Sequence, residues 1–85
     1  MNKVDIYTKG HCPYCHRAKA LLTKKAISFN EIEIDIKPEL RSTMIQRANG
    51  RSTVPQIFIK NQHVGGCDDL FTLETKNQLD SMLAD

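Results

Sequence analysis

Cys12-Pro13-Tyr14-Cys15 sits where one hydrophobic period gives way to another. Before it, residues 3–8 alternate polar and apolar side chains, with Val4 and Ile6 on one face, which is the period of a strand. After it, Cys15, Ala18 and Leu22 recur at helical spacing, with Ala20 and Leu21 near the edges of that stripe. Cys12 takes the cap position and Pro13 the first helical position, where a missing N–H costs nothing. Lys24 and Lys25 close the helix, where positive charge suits the C-terminal end of the dipole. The two thiols therefore stand at a strand-to-helix junction.

The rest of the chain continues in the same idiom. Residues 27–36 read as a second strand, with Ile32, Ile34 and Ile36 on a buried face and Glu31, Glu33 and Asp35 on a wet one. Pro38 opens a second helix with an apolar stripe of Leu40, Met44, Ile45 and Ala48, and Asn49-Gly50 ends it. Pro55 has no ladder donor, so it belongs at the beginning of a third strand over residues 56–59. Lys60-Asn61-Gln62 turns the chain into a short strand at His63-Val64, and Gly65-Gly66 breaks it. Asp68 caps a last helix through Leu70, Phe71 and Leu73, with a break near Lys76-Asn77 and Leu79, Met82 and Leu83 completing its apolar face. The order is β-α-β-α-β-β-α. The first strand–helix–strand unit predicts parallel strands with a right-handed crossover. The hairpin adds two antiparallel strands, giving an α/β fold with a four-stranded mixed sheet and helices on both faces.

Eighty-five residues with 40% apolar and 26% charged side chains make one small globular domain, residues 1–85. A net charge of +2 is too weak to indicate nucleic acid. No apolar run approaches the roughly 20 residues needed to span a membrane, and the first residues carry no signal-peptide core. These features point to a cytoplasmic monomer. Three cysteines is an odd count, unlike a disulfide-stapled secreted scaffold. A Cys12–Cys15 bridge closes too short a loop to be a useful staple, so the pair is expected to be reactive.

The helix start assigns the roles. Free N–H groups of the first turn and the helix dipole both favour negative charge at Cys12. No acidic residue lies between Asp5 and Glu31, whereas Lys9, Arg17, Lys19, Lys24 and Lys25 do. The thiolate is the nucleophile, so Cys12 attacks. Cys15, one turn later on the core side, resolves. The competing use of a C-x-x-C pair is half of a zinc site. That needs two further ligands from Cys67, His11, His16 and His63, and no second motif spacing supplies them.

Four blocks in order resemble the glutaredoxins, specifically the small bacterial dithiol type: Tyr7-Thr8-Lys9, Cys12-Pro13-Tyr14-Cys15, Thr53 to Ile59 and Gly65-Gly66-Cys67-Asp68-Asp69. The resemblance spans essentially the whole chain and implies a thioredoxin-like fold. It also implies disulfide reduction with glutathione as cosubstrate and no metal. The partners it implies are glutathionylated or disulfide-containing proteins, ribonucleotide reductase among the candidates.

By that resemblance Val54, before a cis Pro55, offers its backbone to the cysteinyl part of glutathione, with Thr53 beside it. Gly66, Cys67 and Asp68 receive the γ-glutamyl end, the backbone N–H groups taking its carboxylate and Asp68 its ammonium. Lys9 pairs with the glycyl carboxylate, and Tyr14 flanks the peptide near the sulfurs. Each of these residues also has a plainer role: a solvated lysine at Lys9, a helix cap at Asp68, a core cover at Tyr14, a small buried hydrophobe at Cys67. His11, next to Cys12, stabilises a thiolate when protonated or is an exposed loop residue. Arg41, Arg47 and Arg51 read as a wet face able to steer anions.

Two other classes compete. A redoxin served by thioredoxin reductase would carry a tryptophan before the first cysteine and Gly-Pro between the two; this chain has no tryptophan and has Pro-Tyr. An iron–sulfur carrier would use Cys12 and glutathione as ligands on a dimer, a design that typically lacks the second thiol.

Overall fold

The computed structural model describes residues 3–84; residues 1, 2 and 85, the ends of the expected domain, lie outside the description. The elements run β1 (Val4–Thr8), α1 (Pro13–Lys24), β2 (Asn30–Glu33), α2 (Leu40–Arg47), β3 (Gln56–Ile59), β4 (Gln62–Gly65), α3 (Cys67–Thr75) and α4 (Leu79–Leu83). The sheet order is β2-β1-β3-β4. β1 and β2 are parallel, and β1–β3 and β3–β4 are antiparallel. This is the expected four-stranded mixed sheet, with β1 and β3 at its centre.

Strand alternation sorts the core into two layers. Val4 and Ile6 of β1 and Ile57 and Ile59 of β3 face α1, α3 and α4, meeting Ala18, Leu22, Leu70 and Leu79. Tyr7 and Phe58 face the other way, against Met44 and Ala48 at α2. Ile6, Leu22, Phe58 and Leu70 are all but completely buried. Each contributes about 1.5–3 kcal/mol relative to exposure. Helices thus cover both faces, as the alternation predicts. At the far end of α1, Lys25 holds Glu74 at 2.9 Å and Asp80 at 2.8 Å, tying that end to α3 and α4. The last helix breaks at Lys76-Asn77, where Asn77 takes φ 58°.

Two expectations fail. The second strand stops at Glu33, well short of residue 36, and Ile36 is 67% exposed. The Glu33 carbonyl accepts from the amides of Ile36 and Lys37 at 3.3 and 3.0 Å, so the chain turns there. The Asp35 carboxylate accepts the Gly10 amide at 2.9 Å and pins that turn against the loop before Cys12. Ile34 stays buried, but the alternation ends with it. The second helix also begins two residues later than Pro38, at Leu40, behind a turn of Lys37 to Arg41.

Candidate active site

The thiols sit where β1 feeds α1. Cys12 is the N-cap, in extended conformation with φ −139° and ψ 101°, and its sulfur accepts a hydrogen bond from the Cys15 amide at 3.2 Å. Its own S–H points at the Val54 carbonyl, 3.8 Å away. Cys12 is 8% exposed and Cys15 is 0% exposed, so of the two residues only Cys12 keeps any contact with solvent. All three cysteines are free thiols.

Burial pushes the Cys15 thiol up to about 12. The hydrogen bond and charge of Cys12 push the same way, while the Lys9 amide and the Lys19 ammonium pull against them. At neutral pH Cys15 is therefore protonated while Cys12 is unreacted. Cys67 is also raised, chiefly by burial, which matches its reading as a small buried hydrophobe.

A cleft of about 280 Å³ opens beside the thiols. One wall is Thr53, Val54 and Pro55, and the other is Gly66, Cys67 and Asp68 at the start of α3; Tyr14 stands at its edge. Seven of the eight binding residues expected from the sequence are thus brought together. The eighth, Lys9, is exposed on the loop between β1 and α1 and is not among the lining residues. The Val54–Pro55 peptide is cis, as the resemblance implies.

The start of α3 corrects one assignment. Asp68 does not cap the helix. Gly66 is the N-cap residue, and the Asp69 carboxylate, three residues on, accepts its amide at 2.8 Å. That hydrogen bond holds the Asp69 carboxyl below its usual range, with help from Arg51, whose guanidinium lies 3.1 Å away. Asp68 is left exposed in the cleft wall. Arg51, read from sequence only as part of a wet face able to steer anions, and Asp69, not among the expected binding residues, also line the cleft. An acidic residue three positions after the glycine, within reach of the N-cap amide, is a usable signal for Asp69. Nothing local places Arg51 in the cleft, because it reaches α3 only through the tertiary fold.

A buried polar chain backs the Thr53 wall. Gln56 is fully buried; its amide donates to the Thr53 hydroxyl at 3.2 Å, and its carbonyl lies 2.7 Å from Nε2 of His63. His63, for which the sequence named no partner, also stacks on Phe58 with centroids 5.1 Å apart. Burial and Arg51 hold its pKa below the ordinary value, so it is neutral at pH 7 and Nε2 donates to Gln56. Among the described residues no cluster of His, Cys, Asp or Glu could hold a metal ion. No helix among them is long and apolar enough to cross a membrane.

Known proteins share this fold and much of the sequence. The glutaredoxin family profile matches residues 4–64. Glutaredoxin 3 of Escherichia coli K12 is 58% identical over 83 residues, which is 98% of this chain and 99% of that protein. The solution structure of a Brucella melitensis glutaredoxin, also 58% identical, superposes with a TM-score of 0.82 over 95% of this chain and 87% of its own. The crystal structure of a buckwheat glutaredoxin–glutathione complex superposes with a TM-score of 0.87 at 30% identity, over 96% of this chain and 76% of its own. With Cys12 capping the helix, Cys15 fully buried one turn on and a cleft beside them, the chain belongs to the glutaredoxin family of thiol–disulfide oxidoreductases.

Proposed function

We propose that this chain reduces glutathione mixed disulfides and protein disulfides with glutathione as the reductant. The observation that carries the proposal is the cleft between a backbone segment and a helix N-terminus, whose Val54 wall lies 3.8 Å from the Cys12 sulfur. The bound glutathione of the buckwheat relative supports it. An extended tripeptide pairs with the Val54 backbone as an added strand would. Its γ-glutamyl carboxylate meets the first N–H groups of α3, and its ammonium meets Asp68. Thr53, Pro55, Gly66 and Cys67 shape the walls, Tyr14 flanks the peptide, and Lys9 reaches the glycyl carboxylate from the adjoining loop.

In the one-thiol route the Cys12 thiolate attacks the glutathione sulfur of a mixed disulfide. The substrate leaves as a thiolate and takes a proton from solvent, and Cys12 carries glutathione. A second glutathione thiolate attacks that adduct, releasing oxidised glutathione and regenerating the Cys12 thiolate. In the two-thiol route Cys12 attacks a protein disulfide and Cys15 resolves the mixed disulfide. The protein leaves with two thiols, and two glutathiones reduce the Cys12–Cys15 bridge.

The ionisation of Cys15 suits that order. Part of what holds its proton is the hydrogen bond and charge of Cys12. Once Cys12 is tied up in a disulfide, that part disappears, and Cys15 becomes easier to ionise when its attack is needed. We place this activity in a reducing cytoplasm, performed by a monomer on glutathionylated or disulfide-containing proteins, with ribonucleotide reductase a candidate. An assay coupling a small glutathione mixed disulfide to glutathione and glutathione reductase should show turnover. Turnover only with thioredoxin reductase would overturn the proposal.

A further inference from the structure

On the flank of the thiol cleft, α1 and α3 enclose a second groove of about 310 Å³, lined by Arg17, Ala20, Leu21, Lys24 and Phe71. The four α1 residues fall at i, i+3, i+4 and i+7, so they share one face. Ala20, Leu21 and Phe71 form an apolar floor, and Arg17 and Lys24 place a cation at each end. No acidic residue lines the groove. Neither Arg17 nor Lys24 makes an ion pair with another described residue. The carboxylates of Glu74 and Asp80 are held by Lys25, and Asp68 lies on the other side of Phe71.

Arg17 is also held in place without being neutralised. Its guanidinium lies over the Tyr14 ring at 5.9 Å and the Phe71 ring at 5.6 Å. Stacking of this kind occupies the flat faces and leaves the N–H fork at the rim free for a carboxylate. Tyr14 is 55% exposed and lines the thiol cleft, so the Arg17–Tyr14 stack joins the groove to that cleft.

We propose that this groove docks an extended acidic–apolar segment of the disulfide-bearing protein partner. Charge complementarity selects the acidic residues, and the apolar floor selects a side chain between them. Seven helical rises separate Arg17 from Lys24, about 10.5 Å along the axis. That distance matches about three residues of extended chain. A partner engaged at Cys12 would cross Tyr14 and lay this segment between the two cations. The contact belongs to the small, transient class of redox encounters, in which rim charges set the on-rate and its salt dependence. The proposal rests on the family's thiol–disulfide exchange and is independent of whether glutathione is the reductant.

The test is an amide NMR titration of the reduced chain with a short cysteine-free peptide alternating Glu and Leu, beside its Lys/Leu counterpart. The acidic peptide is expected to shift the amides of Arg17, Ala20, Lys24 and Phe71, with affinity falling about fivefold or more as salt rises from low to several times physiological. The basic peptide should leave them in place. Lys24→Glu and, independently, Ala20→Glu should abolish the acidic-peptide shifts; both positions are exposed, and both helices should stay intact. In turnover, Lys24→Glu should lower kcat/KM about fivefold on a mixed disulfide built on an acidic–apolar peptide, leaving a small cysteine–glutathione mixed disulfide unaffected. Equal binding of the two peptides, shifts confined to other surfaces, or full binding by Lys24→Glu would overturn the docking site. Peptide binding without glutathione-driven turnover would support it and count against the proposed reductant alone.

Discussion

The Cys15 amide donates to the Cys12 sulfur at 3.2 Å, while the Cys15 sulfur itself is fully buried. One residue thus supports the attacking sulfur with its backbone and keeps its own sulfur in reserve. The helix start makes both possible: an N-cap acceptor meets the free amide three residues on, and the next turn points into the core.

The two thiols should separate by mutation. Cys12→Ser is expected to abolish reduction of both glutathione mixed disulfides and protein disulfides. Cys15→Ser should keep the first activity and lose most of the second. Parallel steady-state assays on a small mixed disulfide and on a protein disulfide check this; retention of both activities in Cys15→Ser would remove the resolving role.

Alkaline stability should report the buried thiol. The folded pKa of Cys15, about 12, lies above the ordinary 9.0. The native state therefore keeps a proton that the unfolded chain has lost. The resulting stabilisation is fully present below pH 9 and fades as pH rises towards 12, with a limiting slope of about 1.4 kcal/mol per pH unit. Urea unfolding from pH 8 to 10.5 should give a shallower decline for Cys15→Ala than for the parent chain. Superimposable slopes would mean that Cys15 ionises freely.

Asp68 and Asp69 adjoin each other and should behave differently. Asp69→Ala removes the acceptor of the Gly66 amide and should cost about 1 kcal/mol. The Asp69 carboxyl is held below its ordinary pKa of 3.8, so its stabilisation is present above that value. It is lost as pH falls through the lower folded pKa, and Asp69→Asn should flatten the acid limb. Asp68→Ala should leave the unfolding midpoint nearly unchanged and raise the KM for glutathione. Denaturation curves and glutathione titrations of the two variants check both halves.

Gln56 links the Thr53 wall to His63. Gln56→Leu removes both hydrogen bonds and strands buried polar groups, so it should destabilise by about 1–3 kcal/mol. Unfolding of Gln56→Leu, Thr53→Val and the double variant forms the check. Coupling through the shared hydrogen bond predicts that the double variant loses less than the sum of the singles.

The parts legible in the sequence are those governed by local periodicity. Val4 and Ile6, the Cys12-Pro13 helix start, the Cys15–Ala18–Leu22 face and the strand after Pro55 all fall where the pattern puts them. The failures lie where a distant side chain intervenes. Ile36 continues the alternation of Ile32 and Ile34, yet Asp35 spends its carboxylate on Gly10, twenty-five positions away, and the strand turns off before it. Asp68 and Asp69 are both good first-turn residues; only the backbone geometry at Gly66 decides that Asp69 reaches back. Arg51 belongs to the cleft because the loop after α2 folds against the start of α3, a contact no local pattern announces.

The proposed cycle depends on Cys12 being the sulfur that takes up glutathione. Mass spectrometry of the Cys15→Ser variant, mixed with a glutathionylated substrate and quenched with acid, tests it most directly. One glutathione adduct is expected, located on the peptide bearing Cys12, and it should disappear on adding excess glutathione. An adduct on Cys67, or continued turnover with no adduct on Cys12, would contradict it.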